Sequence, residues 1–211
     1  MKKHLIILLL LIFYNQLFAQ TNWERFRKES CPIKTWVLLH PFKAKKALLI
    51  SKEAIKITDS IAETNLLDKD GSGGQVDAFR HAYWMAKLHQ EIGRNAARNL
   101  GKAHERDNYK SFKKGHFEDG TYPDYASKKM DLYNNKIGLT FSVKNDTRSN
   151  VGLIYKIINA IKKGDLKVIK KDTKGNYLTC NNEQISIQEL NKWKNKKCLV
   201  YSNYKHYLLQ N

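Results

Sequence analysis

The chain has 211 residues, with 38 lysines and arginines against 20 aspartates and glutamates, for a formal charge of +18. Such an excess favours contact with anionic matter (nucleic acid, phospholipid headgroups or acidic glycans) without choosing among them, and a solvated lysine-rich surface is the bland alternative. The length suits one domain, and no segment after the N-terminal leader is long and apolar enough to span a bilayer.

The leader reads MKKHLIILLLLIFYNQLFAQ: Lys2 and Lys3, an apolar run from Leu5 to Tyr14, then Ala19. That order of charge, grease and small residue is a secretory signal peptide over residues 1–19, with a retained N-terminal anchor as the alternative. Removing it takes away two lysines and no acid, so the exported chain stays strongly basic. Periplasm or extracellular space is the expected destination, and an oxidising compartment permits one disulfide among Cys31, Cys180 and Cys198. Cys180 with Cys198 is preferred, because both lie in the C-terminal segment. No CxxC is present to suggest a zinc knuckle.

Residues 20–42 read as an irregular lead-in, broken by Pro32 and closed by Pro41. A helical core domain is expected over 43–165. Its first helix runs from Lys43 to Thr64 on apolar residues at helical spacing, among them Ala47, Ile50, Ala54 and Ile61. The loop NLLDKDGSGG follows. Asp68, Asp70 and Ser72 there match the opening of a calcium loop, but Phe79 stands where the bidentate glutamate belongs, so a polar turn is the better reading. Further helices are expected over Gln75–Ile92, Arg94–Arg106, Asp124–Phe141 and Asn150–Lys163, with residues 107–123 a long polar loop. Residues 166–211 form a small α+β extension: a hairpin turning at Lys174-Gly175, a short helix capped by Ser186, and a last strand in CLVYSNYKHYLL. The fold class is therefore mainly α, a bundle-like domain with a small C-terminal β element.

The helix QVDAFRHAYWMAKLHQEI is apolar nearly all round, with Arg80, Lys87 and Glu91 its only clearly wet stripe. Asp77 and His81, one turn apart beside Trp84, should then be buried, which is tolerable only if they are paired or engaged by a ligand. The next helix points His104 inward with Glu105 beside it. The third carries Asn134 on its apolar stripe and Asp131 with Asn135 on an adjoining face. Packed antiparallel, three helices could bring these groups together, as bundle-core sites do.

Two histidines and carboxylates can hold a divalent metal that activates a water, with His81, His104 and Asp131 as ligands. The same groups, with Asp77 and Glu105 as carboxylate partners, could work as acid and base without metal. Arg80 could neutralise a phosphate or carboxylate. Trp84, Asn134 and Asn135 would complete the substrate-binding wall. The competing reading is structural, with each polar residue a satisfied core group and His89, His116 and His206 merely surface or packing residues. No nucleophile elbow, Walker loop or dinucleotide fingerprint is present.

The blocks DAFRHAYW (Asp77 to Trp84), AHE (Ala103 to Glu105) and MDLYNN (Met130 to Asn135) resemble the signature of an uncharacterised bacterial domain family. Its members carry D-A-x-R-H-A-x-W, A-H-E and M-D-x-x-N-N, and some sit at the ends of large secreted or toxin-like proteins. The resemblance covers roughly residues 73 to 140 and implies that Asp77, Arg80, His81, Trp84, His104, Glu105, Asp131, Asn134 and Asn135 are the family's polar core. It brings no activity. Tyr133 stands where the family often has His, which removes one ligand. A looser likeness is to the histidine–aspartate phosphohydrolases, all-helical enzymes whose ligand order His, His-Asp, Asp parallels His81, His104-Glu105, Asp131. The expectation is an exported hydrolase, metal-dependent or not, acting on a phosphoester or other anionic substrate. The alternative is a non-catalytic binding or interbacterial-competition protein of the envelope.

Overall fold

The computed structural model describes residues 24, 26–115, 123–146 and 149–204. The expected signal peptide, His116 and His206 lie outside them, as do residues 116–122 of the expected loop and the last residues of the final strand.

The chain is mainly α, as expected. In order come α1 (Cys31–Leu39), α2 (Pro41–Ala62), α3 (Gln75–Ile92), α4 (Arg94–Lys113), α5 (Tyr125–Gly138), α6 (Asn150–Lys163), β1 (Lys167–Ile169), α7 (Ile187–Leu190) and β2 (Leu199–Tyr201). Among the described residues no helix is long and apolar enough to cross a membrane.

Helix α3 is the axis. Apolar on nearly every side, it is packed by α2, α4, α5 and α6 together. One face, with Val76, Phe79 and Tyr83, joins Ile157, Ile158 and Ile161 of α6 in one core cluster. The opposite face, with Met85, Leu88 and Ile92, joins Trp36, Ile50, Ala97 and Leu100 in a second. Helix α5 reaches α3 so closely at Gly138 that a β-carbon there would lie 2.5 Å from the Ala82 carbonyl oxygen.

The lead-in corrects the expectation. Pro32 does not break a helix; it opens α1, where Ser30 caps the Ile33 N–H. The first turn of a helix has N–H groups with no intrahelical acceptor, so proline costs nothing there. Trp36 then anchors α1, buried and donating from Nε1 to the Ala96 carbonyl at 3.0 Å. Helix α4 is also longer than expected, continuing to Lys113. Its polar last turns hold because Asn108 is buried and Tyr109 and Phe112 pack on Trp193. Helix α5 starts as expected at the Asp124 cap, which accepts from the Ser127 N–H at 2.9 Å, but ends at Gly138, with residues 139–141 in a turn.

In the C-terminal extension the turn at Lys174-Gly175 forms, with Asp172 Oδ1 accepting from the Lys174 and Asn176 amides. The expected hairpin does not extend from it beyond the bridge Lys171↔Tyr177. β1 pairs instead with β2, antiparallel, in the register Lys167↔Tyr201 and Ile169↔Leu199. The disulfide Cys180–Cys198 ties this extension together, and Cys31 is free and exposed.

Candidate metal centre

The site begins at the loop before α3. Asp68 accepts from the amides of Asp70, Gln75 and Val76, and Asp70 Oδ1 accepts from the Ser72 amide. Burial pushes the Asp68 carboxyl above its ordinary range, against these amide bonds. Asp70 Oδ2 pairs with Lys171 at 2.5 Å, and Lys171 also donates to the Ser72 carbonyl at 2.8 Å. The residues that resembled a calcium loop thus cap α3 and tie it to the C-terminal extension. Gly73, at φ +90°, turns the chain so that its amide donates to Asp77 Oδ2 at 2.7 Å.

Asp77 Oδ1 receives Arg80 Nη2 at 2.7 Å and lies 3.5 Å from His81 Nε2. From α5, Asp131 Oδ1 approaches the same Nε2 to 3.3 Å. Behind the ring, Asn135 Oδ1 stands 3.2 Å from His81 Nδ1. A carbonyl oxygen only accepts, so Nδ1 donates to Asn135, and in the neutral ring Nε2 then presents a lone pair to the two carboxylates. Burial, then the charges of Arg80 and His104, hold the His81 imidazole well below the usual histidine range, while the Asn135 bond and the two nearby carboxylates act the other way. In its neutral form the ring turns the Nε2 lone pair toward the two carboxylates.

Asp77, His81 and Asp131, all buried, each turn one ligand atom within 4.8 Å of the others. Two ligand atoms about 2.1 Å from a tetrahedral ion lie about 3.4 Å apart. The spacings of 3.3 and 3.5 Å at His81 Nε2 match that edge, and exceed the length of a charge-assisted hydrogen bond. One imidazole with two carboxylates suits zinc, manganese or iron. A carbonyl accepting from the far ring nitrogen is the usual support of a metal-binding histidine.

The trio opens on a cleft of about 40 Å³, lined also by Arg80, His104, Asn108, Asp124 and Lys128. That volume holds a few waters or a small anionic group. His104 stands across it, its ring 6.4 Å from that of His81 and edge-on to Trp84 at 5.7 Å. It faces the trio across the cleft; the expected ligands are His81, His104 and Asp131, whereas the residues whose ligand atoms group within 4.8 Å are Asp77, His81 and Asp131.

Of the other expected residues, Arg80 lines the cleft and Asn135 contacts His81 behind it. Trp84 does so through His104, with its Nε1 donating to Ser51 at 2.9 Å. Asn134 does not contact the cleft: fully buried, it clamps β1, donating to the Lys167 carbonyl and accepting from the Lys167 amide, both at 2.9 Å. Glu105 is fully buried in α4 and absent from the cleft wall. His89 is a packing residue, its Nδ1 3.0 Å from the Leu139 carbonyl.

The sequence reading missed Asn108, Asp124, Lys128 and Lys197. Asn108 lies one turn beyond His104 and would have been found had α4 been carried past Arg106. Asp124 reads as a cap; that it also forms a buried ion pair with Lys197 at 2.6 Å, closing the cleft rim with the C-terminal extension, leaves no local signal.

A family model for a domain of unknown function, DUF6973, matches residues 34–165, which include every residue of the trio and most of the cleft. No curated protein and no solved structure matches the chain. The match spans more than half of the 211 residues, and the chain belongs to the DUF6973 family of domains of unknown function.

Proposed function

We propose that this protein is an exported, divalent-metal-dependent hydrolase acting on a phosphoester or other anionic substrate. One observation carries the reading: His81 Nε2 meets Asp77 Oδ1 at 3.5 Å and Asp131 Oδ1 at 3.3 Å, all three residues buried beneath an open cleft. Asp77, His81 and Asp131 would hold the ion, with Asn135 fixing the His81 tautomer. A metal bound there supplies an acidified water and polarises the scissile bond.

The remaining residues divide the work by position. Arg80, half-buried at the cleft and oriented by Asp77, binds the anionic group. Lys128 adds a second cation on the α5 side. His104, opposite the trio and set by Trp84, is placed to hand a proton to the leaving group. Asn134, bound to the Lys167 backbone, supports β1 rather than the cleft. The Cys180–Cys198 disulfide supports export, since such bonds persist in oxidising compartments.

The test is metal content and turnover. Purified protein is expected to retain zinc or manganese stoichiometrically and to hydrolyse bis(p-nitrophenyl) phosphate, with Asp131→Asn losing both. Failure of the parent to bind any divalent ion at micromolar concentration removes the proposal. A second reading, an exported binding protein with a structural cluster, is favoured by the partners Asp77 already has in Arg80 and the Gly73 amide. It predicts that His81→Ala costs about 3–5 kcal/mol of stability, as breaking a buried pair does.

A further inference from the structure

Beside the cleft, aromatic rings from three elements meet on the surface. Tyr109 and Phe112 of α4 lie 4.7 and 5.2 Å from Trp193 of the C-terminal extension, and Tyr125 of α5 lies 6.5 Å from it. Tyr109 is 37% and Tyr125 40% exposed, although apolar burial alone would have turned them inward. Their neighbours are lysines: Lys113 stands 5.0 Å over Tyr109, Lys129 4.9 Å over Tyr125 and Lys128 6.0 Å over Trp193. Lys128 also lines the cleft. The aromatic cluster and the cleft thus share Lys128, and Tyr125 directly follows Asp124 of the cleft wall.

We infer that the substrate of this site is a single-stranded nucleic acid. The inference rests on the hydrolase reading above and names its substrate class. A strand offers what the surface complements: a phosphate every nucleotide for the lysines and Arg80, and unstacked base faces for the rings. Ammonium groups over exposed rings are weakly held, so a base can take the ring face while the lysine swings to a phosphate. A duplex hides its base faces; a headgroup layer also takes interfacial Trp and Tyr beside lysines, but offers no ring for them to stack on. With a phosphodiester in the cleft, one water is consumed and one P–O ester bond breaks. A phosphate monoester and a free hydroxyl are left.

Binding is measured first, with metal chelated, by anisotropy of a labelled oligothymidine, an abasic strand of equal length and charge, and anionic phosphatidylglycerol vesicles. The parent is expected to bind oligothymidine about tenfold tighter than the abasic strand, the size of one base–ring stack. Trp193→Ala is expected to erase that preference and Trp193→Phe to keep it. Tyr109→Ala repeats the test should Trp193→Ala fail to fold by circular dichroism. Equal affinity for both strands, a preference that survives loss of the rings, or tighter binding to vesicles overturns the inference. Manganese is then added. Strand binding without cleavage keeps the surface and overturns the hydrolase reading. Cleavage of a simple phosphodiester with no preference for bases keeps the hydrolase and overturns the inference.

Discussion

Gly138 of α5 lies against the backbone of Ala82 in α3, where an added β-carbon would sit 2.5 Å from the Ala82 carbonyl oxygen and 2.7 Å from its Cα. Ala82 is one residue past His81, and Asp131 and Asn135 stand on α5 within two turns of Gly138. The close approach of these two helices therefore sets the depth at which Asp131 and Asn135 meet the imidazole. Gly138→Ala forces backbone from backbone, which no rotamer change relieves. The expected cost is about 1–3 kcal/mol in chemical denaturation, together with weakened metal binding. A variant with parental stability and metal affinity would show that the contact does not set the site.

Asp131→Asn separates a metal ligand from a structural partner. As a ligand, its loss abolishes metal binding while the chelated protein stays close to the parental melting temperature. As half of a structural ion pair, its loss costs about 3–5 kcal/mol. Calorimetry with and without a chelator reads both, and a large destabilisation of the chelated variant removes the ligand role.

Asn134 and Asn135 are neighbours with different expected phenotypes. Asn134→Ala leaves the buried amide and carbonyl of Lys167 without their partners, at about 1–3 kcal/mol, and is expected to spare metal affinity. Asn135→Ala frees His81 Nδ1 and is expected to lower metal affinity about 10–100-fold, as removal of an orienting partner does. Isothermal titration alongside urea denaturation checks the pair, and equal metal affinity in both variants contradicts the assignment.

The pH dependence of the chelated protein follows from His81. Its native pKa lies well below the usual value of 6.5, chiefly through burial. Below about pH 6.5 the unfolded chain takes up a proton that the native state refuses, so stability falls as pH falls, by at most about 1.4 kcal/mol per unit for one proton. The loss levels off once the native ring titrates. Urea midpoints between pH 8 and 5 test this, with His81→Asn expected to flatten the curve. A parent more stable at pH 5 than at pH 7 would reverse the sign.

Reduction of Cys180–Cys198, whose partners are 18 residues apart, releases a loop closure worth about 3 kcal/mol. Cys198 adjoins Lys197, whose pair with Asp124 closes the cleft rim. Thiol reductant is therefore expected to lower both the melting temperature and turnover. Turnover untouched by full reduction would place the extension outside the site.

Local pattern was enough for the helices. Apolar spacing and cap residues placed α3 and α6 with their observed bounds, and the all-round apolarity of α3 made it the central element before any neighbour was known. The burial of Asp77 and His81 follows from that alone. Bounds went astray where the support is distant. Pro32 opens a helix because Trp36 has a pocket under Ala96. The last turns of α4 persist because Trp193 lies across them. β1 chose β2 over the nearer hairpin partner because the disulfide and the Asn134 clamp hold it there. The site divides in the same way. That three helices carry polar exceptions is written in their periodicity. Which exceptions meet depends on helix rotation and interaxial distance, set by contacts such as Gly138 on Ala82 that no local window contains. Asp77 meets His81 one turn away on the same helix, but tertiary packing alone brought Asp131 to them, left His104 facing them, took Asn134 away to β1, and carried Lys197 to Asp124 and Trp193 to Tyr109.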